Sequence, residues 1–128
     1  MTSASPPPDL RGVFEVAIRV GDLARAERFY LDVLGLEVCV RDDSRRWVFL
    51  WAGARSGMVV LQEDRGRWPK QHFAFSAAPG TLASCAERLR ARGVEVSGPL
   101  GHSSMPGNSL YFQDPDGNEL EIYAAPAG

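Results

Sequence analysis

The sequence feature that most constrains the fold is a succession of predicted elements that occurs twice. From Val13 the residues alternate between apolar and polar at period two, a helical spacing follows from Leu23, and three further strand-like runs complete the first set. The second set begins near Lys70 with "QHFAFSA", continues with a helix from about Thr81, and again ends in three strand-like runs. The pattern predicts two β-α-β-β-β modules, at about 12–64 and 70–124, and therefore an α+β fold.

The predicted helices are bounded by residues that favour helix ends. Asp22 is a candidate N-cap for the first helix, and Gly35 and Gly93 stand where a glycine usually follows a helix. The strand-like runs are "LEVCVR", "RWVFLWA" and "GMVVLQE" in the first module, and "VEVSG", "SLYFQ" and "NELEIYA" in the second. Superposing Glu15 on His72 aligns the apolar rows of the two first strands, which supports an internal repeat.

Composition narrows the class of protein. The 128 residues carry a net charge of −2 without a basic run, so we expect neither nucleic acid nor a membrane as partner. The two cysteines, Cys39 and Cys85, form no C-x-x-C motif and fit reduced thiols in a cytoplasmic protein. We expect a single domain over 11–128, preceded by a disordered tail at 1–10.

Polar residues gather on the strand faces that the helices leave uncovered. If the row Phe14, Val16 and Ile18 faces a helix, then Glu15 and Arg19 lie on the opposite face. The same reasoning places a polar set on the uncovered side of the second sheet: His72, Ser76, Glu119, Glu121 and Tyr123. If the two sheets curl toward one another, these side chains line a shared cleft.

The duplicated layout, with "DLARAERFYLDVLGL" early and "DPDGNELEIY" late, resembles the vicinal oxygen chelate superfamily. This group includes glyoxalase I, bleomycin-resistance proteins, extradiol dioxygenases and fosfomycin-resistance thiol transferases. The resemblance runs from about Gly12 to Tyr123. It implies the glyoxalase-like fold with curled sheets around a cleft, a small-molecule substrate or drug as partner, and a homodimer.

The resemblance also implies a divalent-metal site with ligands on several strands. The family's fifth-strand histidine falls on His72, the last-strand glutamate on Glu121, and the first-strand ligand on Glu15. Two carboxylates and an imidazole suit Zn²⁺, Mn²⁺, Fe²⁺, Co²⁺ or Ni²⁺. Without an ion, Glu15 and Glu121 would be like charges in a partly desolvated cleft, which is unfavourable.

The fourth-strand position, which is a glutamate in some family members, carries no carboxylate here. Aligning Gly57 with Gly117 places Leu61 there, and a slip of one residue places Val60 or Gln62. We therefore expect three protein ligands and an open coordination sphere.

Two functions remain open. The first is a metal-dependent isomerase, lyase or transferase, in which Glu121 acts at the ion and Tyr111 or His102 assists proton transfer. The second is a metal-free protein that sequesters a drug or metabolite, as bleomycin-resistance proteins do, and whose acidic cleft would favour a cation. The alternative to a role in proton transfer is that His102 is a solvated histidine of the predicted flexible loop Ser97–Ser109.

Particular activities within the family fit less well. Ser109 and Tyr111 fall where the fosfomycin thiol transferases place hydroxyls, but Glu15 and Ala17 depart from their first strand and the 97–109 loop has no lysine. Glyoxalase I would need the missing fourth-strand glutamate. An extradiol dioxygenase would need a histidine in place of Glu15 and a longer chain.

Three aromatic residues, Trp47, Phe49 and Trp51, share one face of the third strand. They form either an aromatic wall for a flat substrate, part of the helix–sheet core, or a dimer seam. Arg19 either binds an anionic group or balances the acidic residues. The sequence does not decide between these roles.

Overall fold

The computed structural model describes residues 5–127 and contains the predicted repeat. The elements of the first module are β1 (Glu15–Val20), α1 (Leu23–Asp32), β2 (Glu37–Asp42), β3 (Trp47–Ala52) and β4 (Gly57–Glu63). Those of the second are β5 (His72–Ala77), α2 (Leu82–Ala91), β6 (Ser97–Gly101), β7 (Asn108–Gln113) and β8 (Glu119–Ala124). The predicted α+β class with two β-α-β-β-β modules is confirmed. Residues 1–4 of the predicted tail lie outside the described residues, and 5–14 have no regular secondary structure.

The two sheets have the same topology. The strand orders are β1-β4-β3-β2 and β5-β8-β7-β6, and the first and last strands of each module pair in parallel. Each module also makes the same hydrogen bond at the start of this pair: Met58 N donates to Phe14 O at 2.8 Å, and Glu119 N donates to Gln71 O at 2.9 Å. The superposition of Glu15 on His72 is therefore confirmed at the level of the backbone.

This register corrects the fourth-strand position. Glu121 lies two residues after Glu119, so its counterpart lies two residues after Met58 and is Val60. Leu61, the residue given by aligning the glycines, is wrong and points into the core. The reason is the turn: Gly57 already belongs to β4, whereas Gly117 lies two residues before β8 begins.

The core lies between each sheet and its helix. Alternate strand residues fill it without solvent contact, among them Val20, Val48, Leu50 and Leu120, together with Tyr30 and Ala26 from α1. Asp22 caps α1 as predicted, because its Oδ1 accepts the Arg25 N–H at 3.0 Å. Thr81 precedes α2 but makes no side-chain capping bond.

One predicted strand lies in a different place. The run "VEVSG" predicts a strand over 94–98, whereas β6 spans Ser97–Gly101 and pairs with β7 through Ser97–Tyr111 and Leu100–Ser109. Val94 and Val96 instead pack against the core in the connection from α2. The predicted flexible loop therefore shrinks from 97–109 to residues 102–107.

Several polar contacts join the modules, and two of them bear on the gap between the sheets. The side-chain amide of Gln71 accepts the Arg19 N–H at 2.9 Å and donates to the Arg19 carbonyl at 3.0 Å, so it bridges the edges of β1 and β5. The buried hydroxyl of Tyr30 in α1 donates to Asp114 Oδ2 at 2.8 Å, at the turn between β7 and β8. These contacts fix one end of the gap between the sheets.

Over residues 5–127, neither ten-residue helix has the length or the apolar character needed to cross a bilayer.

Candidate functional site

The candidate site lies on the uncovered face of the second sheet. In the register of β5, β8 and β7, Glu121 lies opposite both Ala74 and Tyr111, and neighbours directly opposite one another share a face. The residues on either side of Glu121, Leu120 and Ile122, point the other way into the core. The sheet therefore holds the carboxylate on a rigid central strand.

His72 contacts Glu121 through a ring nitrogen that bears no proton in the neutral residue. His72 Nε2 lies 3.2 Å from Glu121 Oε1, and Nδ1 lies 3.0 Å from the backbone oxygen of Glu119. A carbonyl oxygen only accepts, so Nδ1 carries the proton and donates it there. Neutral Nε2, which then carries a lone pair, lies beside a carboxylate oxygen. Two such electron-rich atoms repel one another, and a proton on Nε2 or a bound cation would relieve the repulsion.

The other oxygen of the carboxylate is held by a second chain of hydrogen bonds. The buried Ser109 hydroxyl donates to Glu121 Oε2 at 2.6 Å, and His102 Nε2 lies 2.7 Å from the Ser109 Oγ. Because the single hydroxyl proton of Ser109 goes to Glu121, Ser109 must accept the Nε2 proton of His102. His102 thus contacts Glu121 through Ser109, and its Nε2 also lies 3.4 Å from Glu121 Oε2, while its Nδ1 is left to accept.

Tyr123 holds the loop at 102–107 over these hydrogen bonds between His102, Ser109 and Glu121. The Tyr123 hydroxyl donates to the Pro106 carbonyl at 2.5 Å, and the rings of His102 and Tyr123 meet edge to face with centroids 5.6 Å apart. Gly107 has φ +102°, and a Cβ there would lie 2.6 Å from Tyr123 Oη and from the Ala124 oxygen. Only glycine allows the loop to approach so closely. His102 is consequently a part-buried residue with a defined partner, not a solvated loop histidine.

The structure brings two of the three predicted metal ligands together. Glu15 makes no contact with His72 or Glu121, and the described part of the chain has no group of three His, Cys, Asp or Glu side chains able to hold a metal. Glu15 instead lines a separate cavity of about 320 Å³ between β1 and β5. Glu15 as the third ligand stays a prediction.

The distance between the donor atoms of His72 and Glu121 lies within the range expected for two ligands of one divalent ion. Zinc lies about 2.0–2.2 Å from nitrogen and oxygen ligands, so two donors on one ion are separated by roughly 3.0–3.5 Å at ordinary bond angles. The observed 3.2 Å falls within this range. The Nδ1 bond to a backbone carbonyl is also the outer contact that metal-binding histidines usually make.

The aromatic residues of β3 occupy the corresponding face of the first sheet. Val48 and Leu50 are fully buried in the core, so Trp47, Phe49 and Trp51 lie on the uncovered side together with Glu15 and Val60. The helix–sheet core is thus excluded as their location. Arg45 lies over the Trp47 ring, with its Cζ 4.0 Å from the centroid. Arg19 pairs with Asp64 at 3.1 Å, which agrees with a balancing role.

Sequence reasoning missed two features of the site. The first is the role of Ser109, whose position among the hydroxyls of β7 suggested either a ligand contact or a place on a half-exposed sheet; its hydroxyl instead donates to Glu121. The available signal was its position opposite Tyr123, two residue pairs from Glu121 on the same face. The bridge that Gln71 forms between the sheets has no sequence signal, because an amide next to a strand start is most often solvated.

Comparison with known proteins identifies the family. A model of the Glyoxalase/Bleomycin resistance protein/Dioxygenase superfamily matches residues 12–122, and the chain belongs to this superfamily.

Individual relatives include enzymes. The chain is 28% identical to the glutathione transferase FosA of Serratia marcescens, with 89% of this chain and 81% of that protein covered. Among solved structures, it is similar to an integron cassette protein from the Halifax Harbour sewage outfall metagenome (TM-score 0.87, 43% identity, 90% of this chain and 99% of that one). It is also similar to a lactoylglutathione lyase from Agrobacterium tumefaciens (TM-score 0.78, 27% identity, 93% and 96% covered).

Proposed function

We propose that this protein is a divalent-metal-dependent enzyme that acts on a small substrate chelating the ion through neighbouring oxygen atoms. The observation that carries the proposal is the 3.2 Å approach of His72 Nε2 to Glu121 Oε1, made while Nδ1 is committed to a carbonyl. An ion between the two atoms would replace their repulsion with two coordination bonds.

The pair leaves most of a coordination sphere open to a substrate. One imidazole nitrogen and one carboxylate oxygen suit Zn²⁺, Mn²⁺, Fe²⁺, Co²⁺ or Ni²⁺. Such an ion, when bound, polarises a coordinated oxygen of the substrate. The reaction would then be an isomerisation, an elimination or a group transfer.

The side chains around the pair supply orientation and proton transfer in this proposal. Ser109 fixes Oε2 of Glu121, so Oε1 is presented toward His72. His102 stabilises the Ser109 hydroxyl in its donating orientation and keeps Nδ1 available as an acceptor. Tyr111 lies opposite Glu121 on the same face, where its phenol would donate to or accept from a bound substrate.

The family resemblance also implies a homodimer and Glu15 as a third ligand, and an ion at the His72–Glu121 pair requires neither. Within one chain Glu15 does not reach the pair, so it would ligate the ion only if a second copy carried it there. A metal site shared between two copies would make metal binding depend on protein concentration.

A second function is a metal-free binding protein that sequesters a small molecule. One observation favours it: the cavity beside Glu15 is separate from the His72–Glu121 pair and needs no ion to be complete. Such a protein would bind its ligand equally well after treatment with a chelator.

Metal content decides between these functions. Protein purified without chelator or nickel resin is analysed for metals, and its unfolding is followed with added Mn²⁺, Co²⁺, Ni²⁺ or Zn²⁺. We expect a stoichiometric ion and a stabilisation of about 2.7 kcal/mol at a hundredfold excess over the dissociation constant. His72→Ala should lose both, whereas Glu37→Gln, a change of an exposed carboxylate paired with Arg55, should lose neither. No metal and no stabilisation in the parent protein would overturn the proposal.

A further inference from the structure

The gap between the two sheets encloses a cavity that the proposed metal site does not use. At one end, the Gln71 side chain bridges the edges of β1 and β5. Toward the other end, residues from both strands and from the start of β4 line a cavity of about 320 Å³. This volume lies at the lower end of the range for small-molecule sites.

The lining of this cavity combines apolar walls with one charge. Its walls include Phe14, Val16, Met58, Val59, Phe73 and Phe75. Of the fourteen described residues that line it, only Glu15 has an ionisable side chain; Ser56 and Ser76 add hydroxyls. The Phe14 ring also meets the Trp51 ring edge to face, with centroids 6.0 Å apart, which gives the rim a second aromatic surface.

Glu15 has no internal partner to neutralise it. Over residues 5–127 its carboxylate makes neither a hydrogen bond nor an ion pair, whereas Glu63 is paired with Arg46 and Glu37 with Arg55. A carboxylate beside aromatic faces attracts an organic cation both by charge and by the negative faces of the rings. Metal cations such as Ca²⁺ require six or more oxygen ligands, which this apolar lining does not provide.

We infer that the cavity between β1 and β5 is a binding site for a small organic cation, an alkyl- or arylalkylammonium group, with Glu15 as its counter-ion. In this inference Glu15 is the recognition residue of the cavity and not a ligand of an ion at His72 and Glu121. The bound cation would be either a whole ligand or the amine-bearing part of a substrate whose oxygens reach the His72–Glu121 pair.

A matched pair of probes tests the charge requirement. Benzyltrimethylammonium and its neutral isostere neopentylbenzene have the same shape, and their binding is measured by NMR titration with chelator present. We expect the ammonium to bind the parent protein and to bind Glu15→Gln at least about fivefold more weakly, as loss of one close ion pair requires. Glu37→Gln should bind as the parent does, and the neutral isostere should bind the parent and Glu15→Gln equally.

A second variant tests the place of binding. Ser76→Leu fills the cavity while leaving Glu15 in position, and it should weaken both probes. Because Glu15 is exposed and glutamine has the same shape, Glu15→Gln keeps the fold, which a urea unfolding curve verifies.

The metal readout separates this inference from the proposed function. In the same protein series, Mn²⁺ affinity should fall in His72→Ala and remain unchanged in Glu15→Gln. Equal affinity of the ammonium for the parent and Glu15→Gln, or no binding at about 10 mM probe, overturns the inference and leaves the metal site intact. Loss of Mn²⁺ binding in Glu15→Gln also overturns it, because Glu15 would then be a metal ligand.

Discussion

The two modules have the same backbone topology, but the side chains on their uncovered faces differ in character. At equivalent positions, the first module has Val60, Phe49 and Trp47, and the second has Glu121, Tyr111 and Ser109. At these positions the first face is therefore apolar and aromatic, and the second is polar and titratable. The core-facing rows are alike in both, because each must pack against a helix.

The difference shows which part of a strand specifies the fold. One face of every strand is fixed by the need to bury apolar area beneath α1 or α2. The other face is free to vary, so a repeat in the fold does not imply a repeat of the site. Among the described residues, the proposed pair of metal ligands, His72 and Glu121, lies in the second module.

Exchanging the equivalent residues Val60 and Glu121 should produce the largest effect. Val60 has no exposed surface, so Val60→Glu places an unpaired carboxylate among apolar neighbours and should lower the free energy of unfolding by about 3–5 kcal/mol. Glu121→Val should abolish metal binding with a smaller loss of stability, because it buries no new charge. Urea unfolding and metal titration measure both. A stable double variant, Val60→Glu with Glu121→Val, that still binds metal would show that the two faces are interchangeable.

The contact of Tyr30 with Asp114 tests how strongly the modules are joined. Tyr30→Phe leaves a buried carboxylate without one of its donors, and it should lower the free energy of unfolding by about 1–3 kcal/mol. The variant should remain a single cooperative unit in calorimetry. Two separate transitions would mean that this one bond couples the modules.

The stability difference between the parent protein and Tyr30→Phe should depend on pH in the alkaline range. Burial, reinforced by the Asp114 carboxylate, raises the pKa of Tyr30 well above its ordinary value of 10.0. Above pH 10 the unfolded chain loses the phenolic proton while the folded chain keeps it, so stability falls as pH rises, by about 1.4 kcal/mol per pH unit from this group. The stability difference between the parent and Tyr30→Phe should therefore be constant below pH 10 and shrink above it. A constant difference up to pH 11 would contradict the assignment.

Removing the Ser109 hydroxyl should have an intermediate effect. Ser109→Ala leaves Glu121 Oε2 without its 2.6 Å donor and should cost about 1–2 kcal/mol of stability. If Ser109 orients Glu121 for an ion, metal affinity should fall as well. Ser76→Ala, on the same face, is the matched control and should alter neither quantity. Weaker stability with unchanged metal affinity would make Ser109 purely structural.

The sequence was sufficient for the parts of the molecule that follow from periodicity. The alternation of apolar and polar residues specifies β1, and the Asp22 cap and the position of Gly35 specify α1. The place of Glu15 on the uncovered face follows from period two alone. The pairing of His72 with Glu121 was also within reach, since it follows from the register of two parallel strands. These features depend on local geometry and on which residues a helix covers.

The remaining features depend on relations that a sequence does not encode locally. β6 begins later than predicted because Val94 and Val96 pack against the core from the connection that follows α2. Their alternation in the sequence therefore does not correspond to a strand. The separation of Glu15 from His72 depends on how β1 lies against β5: Gln71, the residue before His72, contacts Arg19, which lies near the opposite end of β1 from Glu15. The role of His102 depends on the loop at 102–107 folding back onto Tyr123.

The smallest predicted effect concerns Trp47, the counterpart of Ser109 on the aromatic face. Arg45 covers its ring at 4.0 Å and also pairs with Asp42 at 2.6 Å, so Arg45→Ala removes two interactions. A double-mutant cycle of Arg45→Ala with Trp47→Leu isolates the cation–π contact, which should be worth about 0.5–1 kcal/mol at this exposed position. A cycle with Asp42→Asn should give a coupling that disappears in 1 M salt, while the Trp47 coupling is largely retained. Zero coupling to Trp47 would mean that the aromatic face is stabilised by its sheet alone and stands open to a ligand.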